Sequence, residues 1–242
     1  MIVAILISVH LLADFLFQSS AVLERKRQER KFLFLHCFIY FVVFEILFFI
    51  LFQSGKVFLL GVIISILHFL INLIKNKLEK RFPQRRLQIW IFSINQLIHF
   101  VLLIGMNYIF NLENSVSNLY INLQGYENFK IIILYILIFS IILDPASVFI
   151  RKLFISISLK TYPKIYSEEL KAGNIIGKLE RIIIAILLLN NQFGVIGFVL
   201  TAKSIARFKQ MENRDFAEKY LIGTLTSFLI VLTTVLILKG LL

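Results

Sequence analysis

Long apolar runs constrain this chain more than any other feature of its sequence. A helix needs about 20 apolar residues to cross the hydrocarbon core of a bilayer, and at least six segments approach or reach that length. The 242 residues are 59% hydrophobic, compared with roughly 45–50% in an average soluble domain. The sequence therefore predicts an all-α, polytopic membrane helix bundle that forms a single integral membrane domain, residues 1–242.

The apolar runs predict about six transmembrane helices and one additional hairpin. Four of the helices fall in residues 1–110, an outer loop occupies residues 111–129, and residues 130–242 form a C-terminal group of helices. Asp144-Pro145 should kink the fifth helix, because proline lacks the N–H that a helix interior needs. The expected spans are residues 2–22, 32–52, 57–76, 88–110, 130–150 and 220–238.

The apolar run over residues 182–200 differs from the others, because Asn190-Asn191-Gln192 interrupts it in the middle. If this run crossed the membrane once, the basic residues that follow it would face outward, against the usual distribution of charge. We therefore expect a re-entrant or interfacial helical hairpin over residues 180–208. Irregular backbone is tolerated at membrane depth where protein covers it.

The net charge of +12 follows from the same topology. All of the 26 Lys and Arg residues except Lys56, Lys130 and Lys239 then lie on the cytoplasmic side, as the positive-inside rule requires. This distribution accounts for the charge without nucleic-acid binding. The basic residues follow the first apolar run, unlike those of a cleaved signal peptide, so we expect the N-terminus outside. Membrane lipids surround the helices, and the basic face can also dock a cytoplasmic protein partner.

Polar side chains recur within the predicted spans. All four histidines of the chain lie there, where a polar group is costly unless it is paired or functional. Partners stand one helical turn away, so they share a helix face. A rise of 1.5 Å per residue places these groups at similar depths, in a layer within the inner half of the membrane. The groups are His10 with Asp14 and Gln18, His36, His68 with Asn72, and Asn95 and Gln96 with His99.

Imidazole and carboxylate groups are the usual protein ligands of zinc, manganese and iron. One interpretation of the layer is therefore a divalent metal site, with His36 as a further ligand or general base and Asp14 also catalytic. Neighbouring amides would orient the ligands by hydrogen bonds. Hydrogen bonding between helices and a proton or ion path are alternatives. The expected ligands are His10, Asp14, His68, His99 and Asp144, and the orienting amides are Gln18, Asn72, Asn95 and Gln96.

Charged residues of the hairpin lie near the predicted cytoplasmic surface. Arg181, Lys203 and Arg207 there can bind a lipid headgroup or an anionic substrate. The alternative is a set of ion pairs and anchors that hold the hairpin in place.

The sequence resembles the bacterial membrane family called domain of unknown function 3307. The resemblance rests on motifs along nearly the whole chain, although Asn72 and Asn95 stand where aspartates are expected. The family's His/Asp pattern is loosely similar to that of membrane-bound metal-dependent hydrolases. The motifs are His10-x-x-x-Asp14-Phe-x-x-Gln18, His36, His68-Phe-Leu-Ile-Asn72-x-x-Lys75, Asn95-Gln96-x-x-His99, Gly173-x-x-x-Gly177, Ala202-Lys203-Ser204 and Glu218-x-Tyr220.

The resemblance implies an inner-membrane protein and two functional hypotheses. The first is a metal-dependent hydrolase that acts at the cytoplasmic leaflet on a lipid or phosphate ester. The second is a non-enzymatic membrane component: a transporter, a channel, or a sensor subunit that docks a cytoplasmic partner.

Overall fold

The computed structural model describes residues 1–16, 29–53, 55–157 and 167–241. These residues form helices joined by turns, with an isolated β-bridge between Phe52 and Val116, so the all-α prediction is confirmed. They divide into two compact units, Met1–Ser140 and Ile141–Leu242.

The helices of the first unit follow the predicted apolar runs, with longer bounds for several of them. Helix α1 continues directly into a π-helical turn, Leu12–Leu16, and the rest of the predicted first span lies outside the described residues. A 3₁₀ turn, Leu112–Ser115, precedes α5. The helices are α1 (Ile2–Leu11), α2 (Arg30–Leu51), α3 (Gly55–Arg81), α4 (Arg85–Phe110), α5 (Asn118–Gln124) and α6 (Phe129–Ile142), the last two residues of which belong to the second unit.

The second unit contains the helices that follow the Asp144-Pro145 break. At the kink expected for the fifth span, α6 ends at Ile142 and α7 begins at Asp144. A turn at Asn190–Gln192 joins two helices of a hairpin, as expected, but its first arm begins at Ser167 rather than at residue 180. The helices are α7 (Asp144–Ile157), α8 (Ser167–Leu189), α9 (Phe193–Ala206) and α10 (Arg214–Lys239).

Five helical segments of the described residues are long and apolar enough to cross a membrane. Two shorter apolar helices, Ile2–Leu16 and Phe193–Ala206, accompany them. These segments indicate a membrane protein. The long ones are Lys31–Leu51, Val57–Arg81, Arg85–Phe110, Phe129–Ile157 and Arg214–Lys239.

An aromatic column on α2 forms the centre of the first unit. Tyr40, Phe44, Phe48 and Phe52 follow one another at four-residue spacing, which places them on one helix face. Their ring centroids are 4.5, 5.8 and 5.5 Å apart in sequence order, and each residue is at most 5% exposed. The column fixes the face that α2 presents to the other helices.

Candidate metal centre

The four histidines lie together inside the first unit, one on each of the helices α1 to α4. The ring centroids of His10 and His99 are 4.9 Å apart, those of His68 and His99 4.7 Å, and those of His36 and His68 5.3 Å. Each histidine is at most 1% exposed. The helical bundle thus brings residues separated by 89 positions, from His10 to His99, into one buried cluster.

Asp14 approaches two of these histidines directly. Its Oδ1 lies 3.1 Å from His36 Nε2 and 4.0 Å from His68 Nε2, and the two Nε2 atoms are 3.3 Å apart. Ligand atoms bound to a tetrahedral zinc ion at ~2.1 Å stand roughly 3.4 Å from one another. Two of the three separations are close to this spacing and the third is longer, so the arrangement is compatible with a shared divalent ion.

The π-helical turn carries Asp14 into the cluster. π-turns add a residue to the helical turn and occur often at functional sites. Here Asp14 Oδ2 accepts a hydrogen bond from Gln96 Nε2 at 3.1 Å, and Gln96 Oε1 lies 3.3 Å from His10 Nε2. Since an amide oxygen only accepts, His10 donates from Nε2. Gln96 thus links two residues of the predicted His-x-x-x-Asp motif.

Tyr40 contacts both His10 and His68. Its hydroxyl lies 3.2 Å from His10 Nδ1, which accepts because the neutral ring already donates from Nε2. Its ring stacks on His68 with centroids 3.7 Å apart and an interplanar angle of 10°. Tyr40 was not among the predicted site residues, although it stands four residues after His36 and therefore on the same helix face.

His99 presents a lone pair within the cluster. Its Nδ1 donates to the carbonyl of Asn95 at 2.7 Å, which leaves Nε2 unprotonated in the neutral ring. That Nε2 atom and Asn95 Oδ1 have no hydrogen-bond partner among the described residues. Buried polar atoms are rarely left unpaired in native structures, and a histidine that donates one ring N–H to a carbonyl is typical of a metal ligand.

The Nε2 atom of His68 accepts a hydrogen bond from Asn72. Asn72 Nδ2 lies 3.0 Å from this atom and donates to it, so the proton of the neutral ring is on Nδ1. In the part of the chain that the structure describes, Nδ1 has no partner. The lone pair on Nε2 therefore accepts from Asn72, with Asp14 Oδ1 and His36 Nε2 at 4.0 and 3.3 Å from the same atom, and a metal ion bound by Nε2 would replace the Asn72 hydrogen bond.

The ligand atoms of Asp14, His36 and His68 suit a divalent ion of intermediate softness. Two imidazoles and a carboxylate suit zinc, manganese or iron, and ligand atoms of His36, Cys37 and His68 also lie within 4.8 Å of one another in a buried group that can hold a metal ion. Cys37 is the one cysteine of the sequence and was not among the predicted site residues. Its position next to His36 was the available signal, but neighbouring residues on a helix point in different directions.

The remaining predicted site residues are distributed differently. Gln18 lies outside the described residues. Asp144 belongs to the second unit, where Lys178 Nζ is 2.5 Å from its Oδ1. Lys203 Nζ is 2.6 Å from Glu180 Oε2, and Arg207 lies over the ring of Tyr220, 6.0 Å from its centroid.

Arg181 has an environment unlike the expected headgroup contact. It is 2% exposed and donates to the carbonyls of Ile142 and Leu143 and to the hydroxyl of Ser147. The guanidinium is therefore engaged by the chain's own polar groups.

Comparison with protein families identifies the first half of the chain. The model of the family described as Protein of unknown function (DUF3307) matches residues 2–126. The chain belongs to this family. All members of the cluster lie within the matched DUF3307 range, whereas the C-terminal motifs of the resemblance lie beyond it. No curated protein and no solved structure matches the chain.

Proposed function

We propose that this DUF3307 protein binds a divalent metal ion between Asp14, His36 and His68 and acts as a membrane hydrolase on a lipid or phosphate ester. The observation that carries the proposal is the convergence of Asp14 Oδ1 with the two Nε2 atoms, at 3.1 to 4.0 Å. A bound divalent ion would supply Lewis-acid polarisation of a phosphoryl or carbonyl oxygen.

The other residues of the cluster prepare this site. Gln96 occupies Asp14 Oδ2, so Oδ1 is directed at the histidines. Tyr40 fixes the plane of the His68 ring by stacking. His99 Nε2, which is unprotonated in the neutral ring, is the proton acceptor that the cluster offers for activating a nucleophile.

Substrate access requires an opening of the helices, because the four histidines are at most 1% exposed. The same burial favours the second candidate, a non-enzymatic membrane component in which the metal joins four helices. A metal that stabilises without turnover would support this candidate.

Elemental analysis of detergent-purified protein tests the metal site. We expect stoichiometric zinc, manganese or iron in the wild type and loss of most of it in Asp14→Asn, His36→Ala and His68→Ala. Glu45→Gln is the matched control, since it removes another carboxylate from a predicted span but not from the cluster. Wild-type protein that takes up none of these metals, even after refolding in their presence, contradicts the proposal.

Hydrolysis is tested separately with phosphatidic acid and with p-nitrophenyl phosphate, in detergent and in vesicles. The hydrolase hypothesis predicts phosphate release that a chelator abolishes and the metal restores. Metal-loaded protein without activity on phosphate or carboxylic esters, but with a raised Tm, favours the non-enzymatic candidate.

A further inference from the structure

A second polar site lies in the first unit, on the part of α2 that follows the histidine cluster. It is a cavity of about 560 Å³ between the C-terminal part of α2 and the start of α3. Cavities of roughly 300 to 1,000 Å³ commonly hold small molecules. Phe48, Phe49, Phe52 and Phe58 contribute aromatic walls, and Glu45 contributes a carboxyl group.

The carboxyl group of Glu45 is seated against the backbone of α3. A Cβ atom added at Gly61 would stand 2.3 Å from Glu45 Oε1, so a residue with a side chain cannot occupy position 61 without displacing the carboxyl group. Oε1 is buried and has no hydrogen-bond partner among the described residues. The structure thus holds a carboxyl oxygen in an apolar cavity without satisfying it.

The residues that line the cavity indicate which chemical class of ligand would bind there. A carboxyl group in apolar surroundings is ionised at low cost only when a positive charge compensates it, and of the described residues that line the cavity only Glu45 can carry a charge. A cationic ligand would supply that compensation. Hard inorganic cations such as Ca²⁺ bind six or more oxygens, which one carboxyl group does not provide. Aromatic rings attract organic cations, and four phenylalanines line the same cavity as Glu45.

We propose that the Glu45 cavity binds a lipophilic organic cation, an amine or onium ion with an apolar body, taken up from the membrane. Phe49 and Phe58 are 87% and 59% exposed, so the cavity wall they form faces the surroundings of the bundle. Glu45 lies within the candidate span Lys31–Leu51, and those surroundings are therefore lipid. This site is independent of the proposed metal centre.

Equilibrium binding of radiolabelled tetraphenylphosphonium to the full-length protein in phosphatidylcholine nanodiscs tests the proposal. Empty nanodiscs correct for partitioning into lipid, and tetraphenylborate serves as an anion of the same shape. We expect saturable binding of the cation, affinity for it reduced about tenfold or more in Glu45→Gln, which corresponds to losing one favourable charge contact, and no Glu45-dependent binding of the anion.

Two matched pairs of variants separate the effect of the position of the carboxyl group from a general perturbation of the protein. Gly61→Ala should weaken cation binding because its Cβ takes the place of Oε1. Gly105→Ala, at a helical glycine with nothing within 4 Å of an added Cβ, should not. Glu113→Gln, which removes an exposed carboxylate, should leave affinity unchanged, and Glu45→Gln should retain the wild-type metal content.

Equal affinity of wild type and Glu45→Gln for tetraphenylphosphonium would overturn the proposal, as would the absence of saturable binding by the wild type. If Glu45→Gln does not fold, Gly61→Ala decides: undiminished binding in this variant contradicts the proposal.

Discussion

Gln96 contacts two members of the histidine cluster at once, although it has no charge to contribute to a metal. Its amide donates to Asp14 and accepts from His10, so it fixes which carboxylate oxygen faces His36. Residues that orient metal ligands typically change affinity by 10- to 100-fold when they are removed.

We therefore expect Gln96→Leu to lower metal affinity by about 10- to 100-fold, with all proposed ligands still present. Competition with a chromogenic chelator measures the change. Asn107→Leu, which replaces another amide of α4, is the control and should bind metal as the wild type does. Unchanged affinity in Gln96→Leu would show that Asp14 does not depend on this hydrogen bond.

Asn72 gives a second prediction at the scale of single residues. Its side-chain nitrogen lies 3.0 Å from His68 Nε2, so Asn72→Asp places a carboxylate beside the proposed ligand atoms. With metal bound, the added charge is compensated and affinity should rise. Without metal, a second buried carboxylate near Asp14 should lower Tm, because an uncompensated buried charge costs several kcal/mol.

Thermal unfolding of Asn72→Asp with and without zinc or manganese distinguishes these cases. Asn107→Asp is the matched control, since it adds a carboxylate at another amide position and its loss of Tm should not respond to metal. If metal fails to restore the Tm of Asn72→Asp as well, the cluster is a hydrogen-bonded packing layer.

The clustering of the histidines was predictable from sequence, whereas their individual partners were not. Helical spacing and rise place His10, His68 and His99 at similar depths, and the structure brings their rings together. The π-turn at Leu12–Leu16 was not predicted because apolar periodicity reports the burial of a face and not an inserted residue. The contribution of Tyr40 was missed because an aromatic residue in an apolar run resembles ordinary core.

At the scale of secondary structure, a buried arginine supports the break between α6 and α7. The carbonyls of Ile142 and Leu143 both accept hydrogen bonds from Arg181, and Leu143 also accepts from the backbone N–H and the hydroxyl of Ser147. The bonds from Arg181 cross from α8 to the end of α6, so the guanidinium both satisfies the helix end and ties two helices together.

Arg181→Gln should consequently lower the Tm of the protein, because the buried carbonyl of Ile142 loses its donor and an unsatisfied buried carbonyl costs about 1–3 kcal/mol. Arg214→Gln is the control: the Arg214 side chain is 91% exposed and pairs with Glu218 on the surface, an interaction worth little. Differential scanning fluorimetry in detergent compares them. Equal Tm values for the two variants would contradict a structural role for Arg181.

The apolar runs predicted where most helices lie, but they did not predict the bounds of α8. The run of apolar residues begins near position 182, whereas the helix begins at Ser167. The first turns contain Glu, Leu, Lys and Ala, which favour helices without the hydrophobicity of a membrane span. A prediction based on hydropathy therefore detects only the apolar end of this helix.

At the scale of the whole molecule, the contacts of the hairpin predict that it reaches the far side of the membrane. Helix α8 has 23 residues, or about 35 Å at 1.5 Å per residue, which is long enough for the ~30 Å hydrocarbon core, although its first turns lack the hydrophobicity of a membrane span. Its tip lies beside the C-terminal end of α10, where Lys239 Nζ contacts Asn191 Oδ1 at 2.8 Å. Since α10 is a candidate span, the tip is expected near the outer surface rather than halfway across.

Cysteine labelling with an impermeant thiol reagent in intact cells tests this topology in a Cys37→Ala background. Cysteines at Asn128 and Asn191 should be labelled from outside, whereas cysteines at Gln84 and Gln210 should be protected. All four positions are exposed on the protein. Protection of a cysteine at position 191 would indicate a re-entrant hairpin. Labelling of a cysteine at position 210 would mean that residues 182–200 cross the membrane only once.

Burial of the four imidazoles also limits the rate at which a bound metal ion can be exchanged. Ligand exchange at a site with at most 1% exposure of its histidines must wait for a local opening of the helices, and such openings range from microseconds to seconds or longer. A chelator should then remove the ion at a rate that becomes independent of chelator concentration. Loading would be most rapid while the helices assemble, so the history of the protein during membrane insertion would determine its metal content as much as equilibrium affinity does.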